Sequence, residues 1–177
     1  MGAASDGCVP LETLRQVAAS LDGAGRPFTL IVDVENTLVP YRSSEVGATA
    51  LLDEALCGLD DLLQLRCVVF LSNSRAQFPV GTGGRLTRVV SISRARKPWT
   101  SKSTLNRIAG EAPIAAVCGD QPLTDGVLAW RLNVEYFQML ITREGEPLWP
   151  RLIRLLGTPV FSLLQIARPR PSLSEEN

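Results

Sequence analysis

The sequence FTLIVDVENTLVP, Phe28 to Pro40, carries the strongest structural signal in the chain. A run of apolar and β-branched residues ends in two acids spaced two apart, Asp33 and Glu35, and such a run is typical of a strand buried on both faces of a sheet. A carboxylate at the end of a buried strand is costly unless something compensates its charge, and a metal ion is one such partner. The stretch therefore predicts a central strand that ends in a polar site.

Helical and strand-like segments alternate along the rest of the chain. Apolar periodicity and turn residues predict helices at 10–21, 44–65 (one or two, broken near Gly58), 100–110, 124–132 and 149–156, and strands at 28–34, 67–71, 87–93, 114–118 and 135–141. This alternation predicts an α/β fold with a mainly parallel sheet. We expect residues 1–167 to form a single domain and the proline-rich, polar residues 168–177 to form a disordered tail.

The composition excludes several classes of active site. The 177 residues include no histidine, so the chain cannot build a Ser-His-Asp triad or a histidine-based zinc site. The cysteines lack the spacing of a zinc knuckle and are interpreted as structural: Cys8, Cys57, Cys67 and Cys118. Acid–base chemistry must therefore fall to carboxylates, lysine, tyrosine or cysteine.

The overall charge gives no sign of a polyanionic partner. Lysine plus arginine and aspartate plus glutamate number 18 each, so we expect no nucleic-acid partner, although a local basic patch stays open. The N-terminus has no secretory signal pattern, and no apolar run reaches the length of a membrane span. These features favour a cytoplasmic protein.

Three of the predicted strands end in polar residues. The first ends in DVENT, the second in SNS and the fourth in GDQPLTDG. Ligands of parallel α/β sheets bind beyond the carboxyl ends of the strands. The three ends therefore predict one shared site. GTGG, at 81–84, lacks the Lys-Ser/Thr of a phosphate-binding P-loop and is interpreted as a flexible connector.

Four motifs in this order resemble the haloacid dehalogenase superfamily of phosphotransferases. They are Asp33-Val34-Glu35-Asn36-Thr37 after the first strand, Ser72 with Asn73 after the second, Lys97 in ARKPW, and Asp120 with Asp125 in GDQPLTD. The sequences ARKP and GDQ-x-x-TD, together with Asn-Thr-Leu-Val in the first motif, also resemble those of a narrower group, the YqeG-type and mitochondrial phosphatidylglycerophosphate phosphatases. The resemblance implies a Rossmann-like three-layer sandwich with a minimal cap.

The resemblance also implies a role for each motif residue. Asp33 would attack phosphorus and form an aspartyl-phosphate. Mg²⁺ would be held by Asp33, the backbone carbonyl of Glu35, and Asp120, with Asp125 acting directly or through water. Ser72 and the backbone N–H groups of Val34 and Asn73 would bind phosphoryl oxygens, and Lys97 would add a fixed positive charge.

Taken singly, most of these residues also have a purely structural interpretation. Ser72 and Asn73 suit a turn, Lys97 suits a solvated surface position, and Asp120 and Asp125 suit a turn and a helix cap. Asp33 is the hardest to explain in this way, because it ends the most apolar strand. Considered together, the residues favour a phosphoryl-transfer site.

Glu35 departs from the superfamily pattern, which has a second aspartate there. That residue protonates the leaving group and then activates water, and glutamate keeps the acid but adds one methylene. Three outcomes stay open: an active phosphatase with a shifted substrate pose, a slow enzyme that accumulates phosphoenzyme, or a binding or scaffolding protein that kept the site and lost the rate.

Little sequence is available for a cap over this site, so we expect an open site that suits a large substrate or a lipid head group. The narrower resemblance implies phosphatidylglycerophosphate. Trp99, Trp149 and Val160 to Ala167 suit either docking at a membrane surface or core packing, and core packing is the preferred interpretation.

Overall fold

The computed structural model describes residues 8–40, 43–75 and 88–139, together with residues 152, 155–157, 159 and 163. Five strands form one sheet: β1 (Phe28–Val32), β2 (Leu65–Leu71), β3 (Arg88–Ile92), β4 (Ile114–Gly119) and β5 (Glu135–Gln138). The strands lie in the order β3-β2-β1-β4-β5, and all four pairings between them are parallel. The predicted α/β fold with a parallel sheet is confirmed.

Among the described residues up to 139, four α-helices flank the sheet: α1 (Cys8–Asp22), α2 (Glu45–Cys57), α3 (Lys102–Ala109) and α4 (Val127–Leu132). Residues 152, 155–157, 159 and 163 are helical as well. Alternate residues of β1 face opposite sides of the sheet, as the two-residue period of a strand requires. Leu30 packs in one apolar cluster with Leu14 of α1 and Leu52 of α2. Ile31 packs in a second cluster with residues of α3 and α4. Both faces of β1 are therefore covered, which explains its continuous apolar sequence.

Polar residues begin the middle helices, and glycines end them. The side chain of Ser44 caps α2 at the N–H of Gly47, and that of Ser101 caps α3 at the N–H of Thr104. Gly58 follows α2, in agreement with the predicted break, and Gly110 follows α3 with φ 74°. A positive φ of this kind strains residues with a Cβ and favours glycine.

The structure differs from the predicted elements in three places. The helical segment predicted to extend to residue 65 ends at Cys57, and β2 already begins at Leu65. The segment predicted as a helix from residue 124 begins instead with a π-helical turn, Pro122–Gly126, before α4. β5 ends at Gln138, short of the predicted 141, and residues 140–141 lie outside the described part. Most of the predicted helix 149–156, the connector 81–84 and the tail 168–177 also lie outside it.

Trp99 contradicts the interpretation of the tryptophans as core residues, because it is 73% exposed. The backbone N–H of Trp99 donates to the carbonyl of Arg96 (2.7 Å). This bond closes a tight turn in which Lys97 lies inside and the Trp99 side chain lies outside. Trp149 lies outside the described residues. In the described part of the chain, no helix combines the length and the apolar character needed to cross a membrane.

Candidate functional site

The three polar strand ends meet at the carboxyl edge of the sheet. Asp33 follows β1, Ser72 follows β2 and Asp120 follows β4. β1 lies between β2 and β4, so its carboxyl end is flanked by both of the others. The chain leaves β1 toward β2 and β3 and returns through α3 to β4 on the other side, which makes this edge the switch point where parallel α/β sheets bind ligands.

A tight turn after β1 holds Asp33 in place. The Asp33 N–H donates to the carbonyl of Cys118 (2.8 Å), which extends the pairing of β1 with β4 by one residue. Asn36 adopts a left-handed conformation with φ 61°, which asparagine tolerates better than most residues. Thr37 then lies back over the strand end, and its hydroxyl reaches Oδ2 of Asp33 at 3.4 Å.

Lys97 links two of the buried acids. Its Nζ lies 2.5 Å from Oδ1 of Asp33 and 2.7 Å from Oδ1 of Asp125. The Lys97 side chain is only 3% exposed. Burial alone would lower the pKa of Lys97, but the carboxylates of Asp125 and Asp33 outweigh that effect and raise the pKa above its ordinary value. Lys97 is therefore a permanently charged group inside the site, and the surface interpretation of this residue is wrong.

Asn73 fixes the backbone that carries Lys97. Its Oδ1 accepts the Lys97 N–H at 2.6 Å, and its Nδ2 donates to the Lys97 carbonyl at 3.3 Å. The neighbouring Ala95 N–H donates to the carbonyl of Ser72 (2.9 Å). Asn73, which the sequence predicted as a substrate-binding residue, therefore also has a structural role. It connects the backbone around Lys97 to the end of β2.

Three buried carboxylates form a compact group. Asp33, Asp120 and Asp125 offer oxygen atoms that all lie within 4.8 Å of one another. The π-helical turn after β4 brings Asp125 back toward the strand ends, where its Oδ2 accepts the N–H of Gln121 at 3.2 Å. Burial raises the pKa of Asp125 to about 6, although Lys97 acts in the opposite direction. An all-carboxylate group of this size fits a hard cation such as Mg²⁺, which prefers oxygen ligands.

Glu35 and Ser72 contact each other. The Ser72 hydroxyl donates to Oε2 of Glu35 at 3.2 Å and accepts the Ser74 N–H at 3.0 Å. The extra methylene of Glu35, relative to aspartate, gives its carboxylate the reach to cross from the end of β1 to the end of β2. The acid–base candidate and the phosphoryl-binding candidate are therefore joined in this structure.

A small cavity of about 70 Å³ opens over the site. Its lining residues are Asp33, Glu35, Asn36, Asn73, Lys97, Gln121 and Thr124. A substrate larger than a phosphoryl group must extend outside such a cavity. Two larger cavities, of about 320 and 600 Å³, are lined by residues at the opposite edge, where the strands begin. Size alone does not mark the site, because the buried charges converge at the smaller cavity.

The residues predicted from sequence as site residues lie together at this edge: Asp33, Glu35, Ser72, Asn73, Lys97, Asp120 and Asp125. No protein-family model, curated protein or solved structure matches the chain.

Sequence reasoning missed the contribution of Gly119. A Cβ placed on this residue would lie 2.3 Å from Oδ2 and 2.4 Å from Cγ of Asp125. Only glycine allows the carboxylate of Asp125 to lie against the end of β4. The Gly-Asp pair in GDQ was a usable signal, since a glycine beside a site acid often marks close approach of another group.

Replacing Gly119 by alanine should therefore displace Asp125. Asp125 is fully buried and has no room to retreat, so we expect a loss of about 1–3 kcal/mol in the free energy of unfolding. Urea denaturation measures this loss, and calorimetric titration with Mg²⁺ should show weakened binding. Gly47→Ala is the matched control, because its added Cβ would contact only the Ser44 side chain, at 3.2 Å. Equal stability of the two variants would contradict the close packing of Asp125.

Proposed function

We propose that this protein is a magnesium-dependent phosphatase that hydrolyses a phosphomonoester through an aspartyl-phosphate. The observation that carries the proposal is the buried contact of Lys97 with Asp33 and Asp125, with Asp120 beside them, at the carboxyl edge of the sheet. A lysine that holds a buried carboxylate in one orientation positions it for attack, and carboxylates act as nucleophiles in covalent catalysis. The resemblance of the four sequence motifs to haloacid dehalogenase phosphatases supports the same reaction.

In the proposed first step, a carboxylate oxygen of Asp33 attacks the phosphorus atom. The bond from phosphorus to the ester oxygen breaks, and its electron pair leaves with that oxygen. The carboxylic acid of Glu35 supplies the proton that neutralises the leaving alkoxide. The Lys97 ammonium group and a hydrogen bond from the Ser72 hydroxyl stabilise the negative charge on the phosphoryl oxygens.

In the second step, water attacks the phosphorus of the aspartyl-phosphate. Glu35, now a carboxylate, accepts the proton of that water, and the bond from phosphorus to Asp33 breaks. Phosphate leaves, and both carboxyl groups return to their starting states. Asp33, Asp120 and Asp125 would hold Mg²⁺, which supplies charge neutralisation so that one anion can approach another.

The reaction is tested with p-nitrophenyl phosphate and phosphatidylglycerophosphate. We expect the wild-type protein to release phosphate in the presence of Mg²⁺ and to stop when EDTA removes the metal. Faster release from the lipid would support the narrower family. Absence of release from both substrates, with Mg²⁺ bound in a calorimetric titration, would contradict the phosphatase assignment.

The hydrogen bond between Ser72 and Glu35 favours a second candidate, a phosphate-binding or scaffolding protein with impaired turnover. While Ser72 donates to Glu35, its proton is not available to a phosphoryl oxygen, and the carboxylate is held at the side of the site. Such a protein would bind Mg²⁺ and phosphate and release no product. Metal binding alone does not separate the two candidates, whereas phosphate release does.

Shortening Glu35 distinguishes a misplaced acid from an inactive site. Glu35→Asp removes the methylene that reaches Ser72, so it should free the Ser72 hydroxyl and raise kcat by about 10- to 100-fold. The measurement is steady-state phosphate release at saturating p-nitrophenyl phosphate. Glu54→Asp, an exposed position on α2, is the matched control and should leave kcat unchanged. Unchanged or lower kcat for Glu35→Asp would show that the longer side chain is not what limits turnover.

A further inference from the structure

One continuous stretch of the chain has a strongly unbalanced charge. Between positions 62 and 110 lie nine of the 18 lysines and arginines and none of the 18 aspartates and glutamates. The chain as a whole is neutral, so the remaining residues carry an equal excess of negative charge. This separation is hidden in the overall composition.

The described residues of this stretch, 62–75 and 88–110, form one edge of the molecule, the basic edge. It contains β2, β3 and α3, and β3 is the terminal strand of the sheet on that side. Lys97 is buried in the site, whereas the lysine and arginine side chains at the other described positions of the stretch are exposed. The positive charge of this edge therefore faces outward.

The part of this edge nearest the site is the basic rim, which consists of Arg75, Arg94, Arg96, Trp99 and Lys102. All five residues are exposed. The backbone N–H of Arg94 donates to the carbonyl of Ser74 (2.9 Å), next to Arg75. The backbone N–H of Ala95 donates to the carbonyl of Ser72 in the site. The rim thus borders the mouth of the candidate active site.

The rim backbone directs its charges outward. Arg94 and Arg96 have φ values of 53° and 57°, a left-handed conformation that is unfavourable for arginine. They alternate with Ala95 and Lys97, which are buried. Strained backbone of this kind is concentrated at functional sites. The same turn that places Lys97 inside the site therefore places two guanidinium groups outside it.

Trp99 adds an amphipathic ring between these charges. It is 73% exposed, and the guanidinium of Arg131 lies over its ring at 5.2 Å from the centroid. That guanidinium also donates to the carbonyl of Pro98, which fixes the arrangement. Exposed tryptophan beside basic side chains is typical of protein surfaces that lie at the head-group level of a membrane.

We propose that the basic rim docks on an anionic phospholipid bilayer, with the mouth of the candidate site turned toward the membrane. Juxtaposed arginine and lysine side chains are attracted to anionic lipid surfaces, and an indole ring inserts among head groups. A nucleic acid would instead use the ring as a stacking platform, but Arg131 already covers one of its faces. The exposed charges and the exposed indole ring favour this docking whether or not the site is catalytic.

The test is sedimentation with two kinds of vesicle, equal parts of phosphatidylserine and phosphatidylcholine, or phosphatidylcholine alone. The wild-type protein should bind the anionic vesicles and not the neutral ones. The triple variant Arg94→Gln, Arg96→Gln, Lys102→Gln should bind them about 100-fold more weakly, since each basic side chain near the surface contributes about one factor of five. Trp99→Ala should lower binding further and make what remains more sensitive to salt.

The matched control is the triple variant Arg66→Gln, Arg88→Gln, Arg107→Gln. It removes the same charge from the opposite end of the basic edge, where β2 and β3 begin and α3 ends. It should bind anionic vesicles within about threefold of the wild-type protein. Circular dichroism checks that both triple variants fold.

Three results would overturn the proposal: equal weakening by the two triple variants, no preference for anionic vesicles, or binding of a single-stranded oligonucleotide that outcompetes the vesicles. Hydrolysis of soluble p-nitrophenyl phosphate, assayed in parallel, keeps the two proposals apart. Loss of vesicle binding with hydrolysis retained would mark the rim variants as docking variants. Vesicle binding without any hydrolysis would support the rim and contradict the phosphatase.

Discussion

Asp33→Asn should lower phosphate release by about 10⁴-fold or more, because the amide that replaces the carboxylate cannot act as the nucleophile. The substitution is nearly isosteric, and Lys97 keeps its second contact with Asp125 at 2.7 Å, so the fold should persist. The measurement is Mg²⁺-dependent release from p-nitrophenyl phosphate, together with acid quenching to detect acyl phosphate on the wild-type protein. The variant should form no such adduct.

The control for this substitution is Asp61→Asn. Asp61 lies on the surface in an ion pair with Arg15, and side chains of this pair are 55% and 60% exposed, so its loss should leave release unchanged. Release by Asp33→Asn at the wild-type rate would exclude Asp33 as the nucleophile. Equal loss in both variants would point to a defect in folding and not in chemistry.

Lys97→Met should lower the free energy of unfolding by about 3–5 kcal/mol, because it leaves the carboxylates of Asp33 and Asp125 buried without their shared cation. Methionine has a similar length, so lost packing contributes little. The variant should also lose phosphate release. Urea denaturation measures the change, and addition of Mg²⁺ should restore more stability to the variant than to the wild-type protein, since a bound cation replaces the missing charge.

The destabilisation should depend on pH in a defined direction. The pKa of Asp125 is already raised from 3.8 to about 6 by burial, and loss of Lys97 removes the charge that opposes this effect. An acid with a raised pKa in the folded state holds its proton more firmly there than in the unfolded chain, so stability falls as pH rises through that window. The free energy of unfolding of Lys97→Met should therefore lie further below that of the wild-type protein at pH 8 than at pH 5.

Lys102→Met serves as the matched control for this variant. Lys102 is exposed at the start of α3, so its replacement should change the free energy of unfolding by no more than about 0.5 kcal/mol. If the two substitutions cost the same, or if the cost for Lys97→Met does not change with pH, the buried contact of Lys97 with both acids would be contradicted.

The sequence alone predicted the order of helices and strands and the convergence of polar residues at the strand ends. This was possible because the apolar run at residues 28–34 and its counterparts have a local signature, and because parallel strands end at a common edge. The same reasoning missed the π-helical turn at residues 122–126, since the hydrophobic pattern there does not distinguish a π-helical turn from an α-helical one.

Tertiary structure decided which partners each of these residues has. Lys97 lies 64 positions from Asp33 and 28 from Asp125 in the chain, and their contacts depend on the order of strands in the sheet. The fold of the loops over the sheet edge likewise decides three further features. They are the hydrogen bonds from Asn73 to the Lys97 backbone, the close packing of Gly119 against Asp125, and the exposure of Trp99. Local patterns specify periodicity and backbone preference, whereas the direction of a side chain and its distant neighbours are set by packing of the whole sheet.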